Sequence, residues 1–323
     1  KLSEGFEEQN GTICLLNKSL YGLKQAPINW NKTLVDFLKE QGLNQLITDR
    51  SVFKNDDNSL ILAIHVDDGL AIGDSSDIIL KFLQQLQKKF EITYEEEPKV
   101  YLGIELRNEE ENLFLSQPTY IDKVLREFKM DTAKSVRTPS TPGSIEDLTP
   151  NKTYPFRESV GSLLYLSNRT RPDITFSVNQ ASRKVENPTE GDILKVKRIF
   201  RYLQGTKDVA IKYSKGQDHL KLDAYCDSDF ANDETTRRST GGYIILYCGG
   251  AISWSTKRQT NIATNTAEAE LISASECVKE VLFLKYFFNE LTQENLRVNL
   301  HIDNQSTIKM IENGCNGKRS KHI

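Results

Sequence analysis

Histidine, cysteine, methionine and tryptophan are all scarce in this chain of 323 residues, which holds four His, five Cys, two Met and two Trp. Cys14, Cys226, Cys248, Cys277 and Cys315 are odd in number and far apart, and no C-x-x-C occurs. That argues against a disulfide framework and against a zinc site, and it fits a reducing compartment. No apolar run approaches the length of a membrane span. An initiator Met and a signal-peptide pattern are both missing, and the sequence stops inside the basic run 318–323, so a piece of a longer protein is expected. Net charge is small as well: 42 Lys+Arg against 45 Asp+Glu leave −3. What remains is globular. A hydrophobic content of 38% excludes wholesale disorder, and the length leaves room for two or three domains.

The small net charge conceals segregation. Residues 1–111 carry 12 basic and 20 acidic side chains, whereas residues 112–218 carry 18 and 12. The cationic middle argues for a polyanionic partner that the average hides. Between positions 137 and 156 lie four of the nine prolines (Pro139, Pro142, Pro150, Pro155), which forbid a continuous helix or central strand and mark a linker or long surface loop.

Before that segment, Leu34, Phe37 and Leu38 at i, i+3, i+4 predict a helix stopped at Gly42. Residues 60–73 read as a hairpin with two buried strands around Asp67-Asp68-Gly69, and residues 78–90 as a second helix. Another hairpin is expected from 100–106 and 113–115. After the prolines the pattern turns helical, with stripes at Ile174, Val178, Ala181, Val185 and at Ile193, Val196, Phe200, Leu203. From Leu220 onward it reads as three meandering strands, with a turn at Gly249-Gly250, a helix over about 266–291, a strand over 297–302 and a short helix.

Two groups of carboxylates stand out. Asp67 and Asp68 at a hairpin tip are either turn residues or hard oxygen ligands for Mg²⁺. Period-two alternation puts Asp223, Asp227 and Asp229 on one face of a strand, which is either solvated or a metal site. Glu270 heads the apolar helical stripe Ala274, Cys277, Val281, Leu284, whereas Glu268 heads a mixed one; a carboxylate above a core-facing stripe is costly without a partner. Asp303 ends a buried strand before a helix, the usual edge for a ligand site in an open α/β sheet. Lys195, Lys197, Arg198 and Arg201 decorate the polar side of the Ile193–Leu203 stripe, either as a solvated helix face or as a phosphate-tracking surface.

Four ordered blocks carry a family resemblance. Residues 18–27, KSLYGLKQAP, followed by Trp30, resemble the K-S-L-Y-G-L-K-Q-A-P-x-x-W block of copia-type LTR-retrotransposon polymerases. Ile64-His65-Val66-Asp67-Asp68 resembles the Y-V-D-D signature of reverse transcriptases. Tyr101-Leu102-Gly103-Ile104 is similar to the F/Y-L-G-I segment, and residues 161–166 with Arg171-Pro172-Asp173-Ile174 match the connection region. Further on, Tyr225-Cys226-Asp227-Ser228-Asp229 resembles the Y-S-D-A-D of the ribonuclease H domain in the same polyproteins. Residues 266–271 and Asp303-Asn304-Gln305-Ser306 match its S-T-A-E-A-E-Y and D-N-Q-S.

The resemblance implies an α+β and α/β multidomain fold. A partial palm and thumb would occupy 1–137, a Pro-rich linker 138–155, a connection 156–217, and a ribonuclease H-like mixed sheet with helices 218–323. It implies RNA-directed DNA polymerase and ribonuclease H activities with two Mg²⁺ or Mn²⁺ ions at each active site. Asp67 and Asp68 would bind metal in the palm, and Asp227, Glu270 and Asp303 in the nuclease. Tyr21, Gly22, Lys24 and Gln25 would position nucleotide and template. His65, where the family usually has Tyr, would lie beside the primer end, and Ile28 stands where a basic residue is common. Expected partners are an RNA template, a DNA primer, an RNA–DNA hybrid, dNTPs and the rest of the Pol polyprotein, with no membrane. The expected setting is intracellular: cytoplasmic virus-like particles and the nucleus, without secretion. A third palm carboxylate is expected upstream of the residues given, and a fourth nuclease ligand beyond Ile323. Two rival readings stay open: a working ribonuclease H on a dead polymerase, and a co-opted copy that only binds nucleic acid.

Overall fold

The computed structural model describes residues 19–20, 22–141, 143, 147–233 and 235–313. The chain forms two compact units, residues 1–94 with 290–292, and residues 95–289 with 293–323. No helix among the described residues is long and apolar enough to cross a membrane.

In the first unit, helix α1 (Ala26–Glu40) begins with Pro27 in its first turn, where a missing N–H costs nothing, and ends before Gly42 at φ +79°. Its buried stripe is Leu34, Phe37 and Leu38, as the spacing predicts. Strands β1 (Asn44–Gln45), β2 (Val52–Lys54), β3 (Leu60–His65) and β4 (Asp68–Gly73) form a sheet in that order. Helix α2 (Ser76–Lys89) is capped by Ser75, whose side chain accepts from the Ile78 N–H. Leu34, Phe37, Leu38, Phe53, Leu60, Leu62 and Phe82 close one core between helices and sheet. The expectation of two buried hairpin strands holds only for β3. Strand β4 is the sheet's edge, and its Ile72 is 54% exposed.

The second unit is built around two further sheets. Strands β5 (Val100–Tyr101), β6 (Ile104–Glu109), β7 (Asn112–Ser116) and β8 (Ile211–Ser214) form one in that order. The single strand expected over 100–106 is broken because Leu102 and Gly103 both take positive φ, +50° and +77°, in a two-residue turn. A side chain at Gly103 would strike the Tyr165 hydroxyl, which donates to the Leu102 carbonyl at 3.2 Å. Two of the sequence blocks thus touch. Strand β8 has no signature in the sequence; four residues are too few to show a period, and only pairing with β7 reveals them.

Helices α3 (Pro118–Glu127), α4 (Phe156–Ser167), α5 (Thr175–Ser182) and α6 (Glu190–Gln204), with the 3₁₀ turn η1 (Pro172–Ile174), share one core. Ile121, Val124 and Leu125 of α3 meet Phe156, Val160 and Leu163 of α4 and Val196, Phe200 and Leu203 of α6 there. Helices on both sides of the proline-rich segment thus contribute to one core, and the compact units divide after residue 94.

Strands β9 (Lys221–Asp229), β10 (Thr240–Tyr247), β11 (Gly250–Arg258) and β12 (Arg297–His301) form the third sheet, in the order β11-β10-β9-β12. Only β12 runs parallel to its neighbour β9. The β10–β11 turn is Cys248-Gly249, both at positive φ, one residue before the Gly-Gly expected. Helix α7 (Thr266–Thr292) lays Ala274, Cys277, Val281 and Leu284 over Leu222, Ala224 and Cys226 of β9. Short α8 (Gln305–Glu312) follows β12.

Candidate functional site

Asp227, Glu270 and Asp303 converge: one ligand oxygen from each lies within 4.8 Å of the others, and among the described residues this is the one such carboxylate group. The sheet explains two of the three. His301 is in register with Tyr225 on the adjacent parallel strand, so two residues further Asp303 arrives opposite Asp227, at the carboxyl ends of both strands. Side chains at Tyr225 and His301 confirm that shared face, their rings stacked 4.4 Å apart.

Glu270 arrives from the start of α7. Asn265 caps this helix by accepting from the Glu268 N–H, and the Glu268 carboxylate accepts from Thr264 N and Oγ1. That pairing keeps Glu268 in the helix cap and out of the group, the separation predicted by helical spacing. Asn304 accepts from Ser306 N and Thr307 N, and the buried Thr307 hydroxyl donates to Ala267 O, tying the segment after Asp303 to the first turn of α7.

Burial sets the electrostatics. Glu270 is 5% exposed, whereas Asp227 and Asp303 are exposed. Its Oε1 accepts from Ser228 N at 3.2 Å and Ser228 Oγ at 3.1 Å, while the buried Oε2 has no hydrogen-bond partner. Desolvation, offset in part by Ser228 and reinforced by the Asp227 charge, raises its pKa from 4.5 to about 7. An orphaned carboxylate oxygen beside two exposed carboxylates is the donor set of a hard divalent cation, and the residues fit one. Ser228 was missed by sequence reasoning; its position between two aspartates is its only sequence signal.

Asp223 does not join the group. It accepts from Asn299 Nδ2 at 3.1 Å, pairs with Lys221 at 2.9 Å and lies 3.3 Å from His301 Nε2. Asp229 lines the adjoining cleft instead. That cleft, about 630 Å³, has one wall from β9–β12 and another from η1 and α5, a contribution from the helical region that the sequence did not suggest.

In the first unit, His65, Asp67 and Asp68 lie exposed at the β3–β4 tip. His65 pairs with Asp68, so the turn is Val66-Asp67 and not the Asp-Gly dipeptide. Val66 takes φ +56°, an outlier for a β-branched residue. Among the described residues no third carboxylate joins Asp67 and Asp68. Gly22, Lys24 and Gln25 are exposed where the chain enters α1. Tyr21 lies outside the described residues.

The four cations of α6 do not form a uniform open track. Lys195 is exposed, but Lys197 sits 5.4 Å from the Tyr154 ring centre. Arg198 donates to Thr138 Oγ1 at 2.9 Å and Arg201 to Lys134 O at 2.7 Å. These arginines tie Lys134 and Thr138 to the helix. Arg171 is 1% exposed, with Asp173 and both oxygens of Thr206 as partners. Arg183 reaches Asn179, Thr240 and Asp233. Much of the central positive charge is therefore engaged inside the fold.

Residues 2–142 match the family model described as "Reverse transcriptase (RNA-dependent DNA polymerase)". The chain is 38% identical over 337 residues to the retrovirus-related Pol polyprotein from transposon TNT 1-94 of Nicotiana tabacum, covering 99% of this chain and 25% of that one. It is 31% identical over 275 residues to a putative transposon Ty5-1 protein of Saccharomyces cerevisiae, covering 81% and 87%. A foamy viral protease-reverse transcriptase in complex with double-stranded DNA aligns with TM-score 0.48 at 13% identity, covering 88% of this chain and 43% of that one. The chain spans about a quarter of the length of the Pol polyprotein from tobacco that it matches.

Proposed function

The chain belongs to the reverse transcriptase family of retrotransposon Pol polyproteins, and on that premise we propose that its Asp227–Glu270–Asp303 centre hydrolyses the RNA strand of an RNA–DNA hybrid. The observation that carries this reading is the buried, unpartnered Oε2 of Glu270, on a carboxylate that has one oxygen within 4.8 Å of oxygens of Asp227 and Asp303. Two Mg²⁺ or Mn²⁺ ions there would supply Lewis acidity to the scissile phosphodiester and to the attacking water. The chain's own residues prepare the place. The Ser228 N–H is shared between Asp227 Oδ1, at 2.7 Å, and Glu270 Oε1, which fixes both carboxylates and leaves Glu270 Oε2 free. The β9–β12 ladder ends at Tyr225 and His301, and Asp227 and Asp303 each follow two residues later, so the paired strands deliver both carboxylates to the same end of the sheet.

RNA-directed DNA synthesis is the family's reaction, and for the longer polyprotein we assign Asp67 and Asp68 to its metal-binding tip. Tyr21, Gly22, Lys24, Gln25 and His65 are the proposed contacts to dNTP, template and primer. Lys195 is the residue of the α6 set best disposed to meet phosphate. The work would be done in cytoplasmic virus-like particles and in the nucleus. The experiment is Mg²⁺-dependent cleavage of a labelled RNA–DNA hybrid by the chain, compared with Asp227→Asn. Cleavage lost in the variant supports the assignment. A wild-type chain that binds hybrid without cutting it, also when extended past Ile323, refutes it.

A further inference from the structure

The cleft beside the carboxylates has a wall that the nuclease reading does not use. Pro172, Thr175 and Phe176 come from the helical region, and they face Tyr225, Asp227 and Asp303 across a space of about 630 Å³. This wall is bound firmly to the sheet. Asn179 Nδ2 donates to Thr256 O at 2.9 Å, and Trp254 Nε1 donates to Ser167 O at 2.7 Å. Arg183 donates to Thr240 Oγ1 at 3.0 Å and approaches Asp233, which Arg258 also holds at 2.7 Å. The buried Arg171, just before Pro172, bonds both Asp173 and Thr206.

Two rings in this cleft remain open to solvent. Phe176 is 40% exposed although Val178 and Ala181 of the same helix are buried, and Tyr225 is 43% exposed with one face on His301. Exposed aromatic faces on a rigid wall gain free energy only by covering something flat or C–H rich. The charges narrow what that is. Asp227, Asp229 and Asp303 line the cleft, hydroxyls come from Thr175, Thr240 and Thr256, and no lysine or arginine among the described residues lines it. A phosphodiester backbone has no counter-charge along this wall. A sugar does fit: its C–H face suits a ring, and a 2′-hydroxyl is a donor for Asp229 or a threonine.

We propose that residues 172–176 are the second wall of the nuclease cleft and that Phe176 is a substrate-binding residue, its ring packed on a ribose of the strand whose phosphate lies at Asp227 and Asp303. The inference rests on the nuclease reading and adds to it a contribution from outside the strands and helix that hold the carboxylates. Its consequence is selectivity for RNA over DNA in that strand, set partly by the helical region.

The test uses the full chain as wild type, Phe176→Ala, Phe176→Leu and Phe176→Tyr. With Mg²⁺ and an RNA–DNA hybrid, removing the ring should raise KM about ten-fold with kcat changed less than about two-fold, and Tyr should restore the wild-type value. In Ca²⁺, with no cleavage required, fluorescence anisotropy should show the same loss for the hybrid and little loss for an all-DNA duplex of the same sequence. Far-UV circular dichroism and thermal unfolding check that each variant is folded, and Leu keeps the apolar volume should Ala disturb the helix. Hybrid affinity in Ca²⁺ that Phe176→Leu leaves unchanged overturns the proposal, whatever the cleavage rate. So does an equal loss for both duplexes. A wild type that binds hybrid selectively but never cuts it refutes the nuclease reading alone, because the Ca²⁺ comparison still decides the role of Phe176.

Discussion

Replacing Glu270 by Gln removes one charge and almost no volume, so its effect isolates what burial does to that carboxylate. Folding raises the Glu270 pKa from 4.5 to about 7, with desolvation as the largest cause. The folded state therefore holds the proton more tightly than the unfolded chain does. This favours the fold in full below about pH 4.5, and the advantage drains away as the pH climbs toward 7. Above that the carboxylate is charged in both states, and the metal-free fold carries a charge it holds poorly. At about 1.4 kcal/mol per pH unit, the difference amounts to about 3 kcal/mol by pH 8. Gln keeps an acceptor for Ser228 and has no charge to bury. Metal-free Glu270→Gln should thus be more stable than wild type at pH 8, by about 1–3 kcal/mol once the new amide's imperfect fit is allowed for. In a unit of this size that is roughly 3–10 °C in Tm. At pH 5 the two should nearly coincide. The assay is thermal unfolding followed by Trp254 fluorescence in a Trp30→Phe background, since the chain has two tryptophans. Adding Mg²⁺ at 100 times its Kd should return about 2.7 kcal/mol to the wild type and far less to the variant. A variant less stable than wild type by the same margin at pH 5 and pH 8, or one stabilised equally by Mg²⁺, would refute the reasoning.

Two further outcomes follow from named contacts, one from an exposed lysine and a fourth from acid titration. Arg171→Met takes the buried guanidinium from Asp173, which keeps only Tyr202, and strands Thr206 O, and should cost about 2 kcal/mol in urea unfolding. Arg201→Ala should lower stability by about 2 kcal/mol and leave the salt dependence of hybrid binding unchanged, because its guanidinium is engaged by Lys134 O. Lys195→Glu should do the reverse, reducing the log–log salt slope by about one with Tm unaltered. Asp233 is held below the ordinary carboxylate range, chiefly by its hydrogen bond from Arg258. Its contribution is present above the unfolded carboxylate pKa near 3.9 and lost as the pH falls through the lower folded value. Acid titration of Asp233→Asn should therefore show a shallower loss of stability below about pH 4 than wild type.

The carboxylates were legible in the sequence because strand and helix periods are local properties. Alternation placed Asp227 on a defined strand face, and the apolar stripe under Glu270 separated it from Glu268, since both follow from geometry within a few residues. The same reasoning located α1, α6 and α7, whose buried stripes repeat at i, i+3 and i+4. Charge misled it. Lys197, Arg198 and Arg201 look like a solvated stripe from helical spacing, yet their partners Tyr154, Thr138 and Lys134 lie more than forty residues upstream. No local pattern carries that information.

The sequence by itself determined which residues could carry chemistry and which elements they stand on, because propensity, capping and hydrophobic period act over one or two turns. Only the tertiary structure decided which of them meet. Register between β9 and β12 brought Asp303 opposite Asp227, packing of α7 buried Glu270 and orphaned its Oε2, and α5 closed the cleft from a segment fifty residues before the first of the three carboxylates. It also decided that helices on both sides of the proline-rich segment share one core. Those outcomes depend on long-range pairing and desolvation, which arise only when distant segments exclude water from one another.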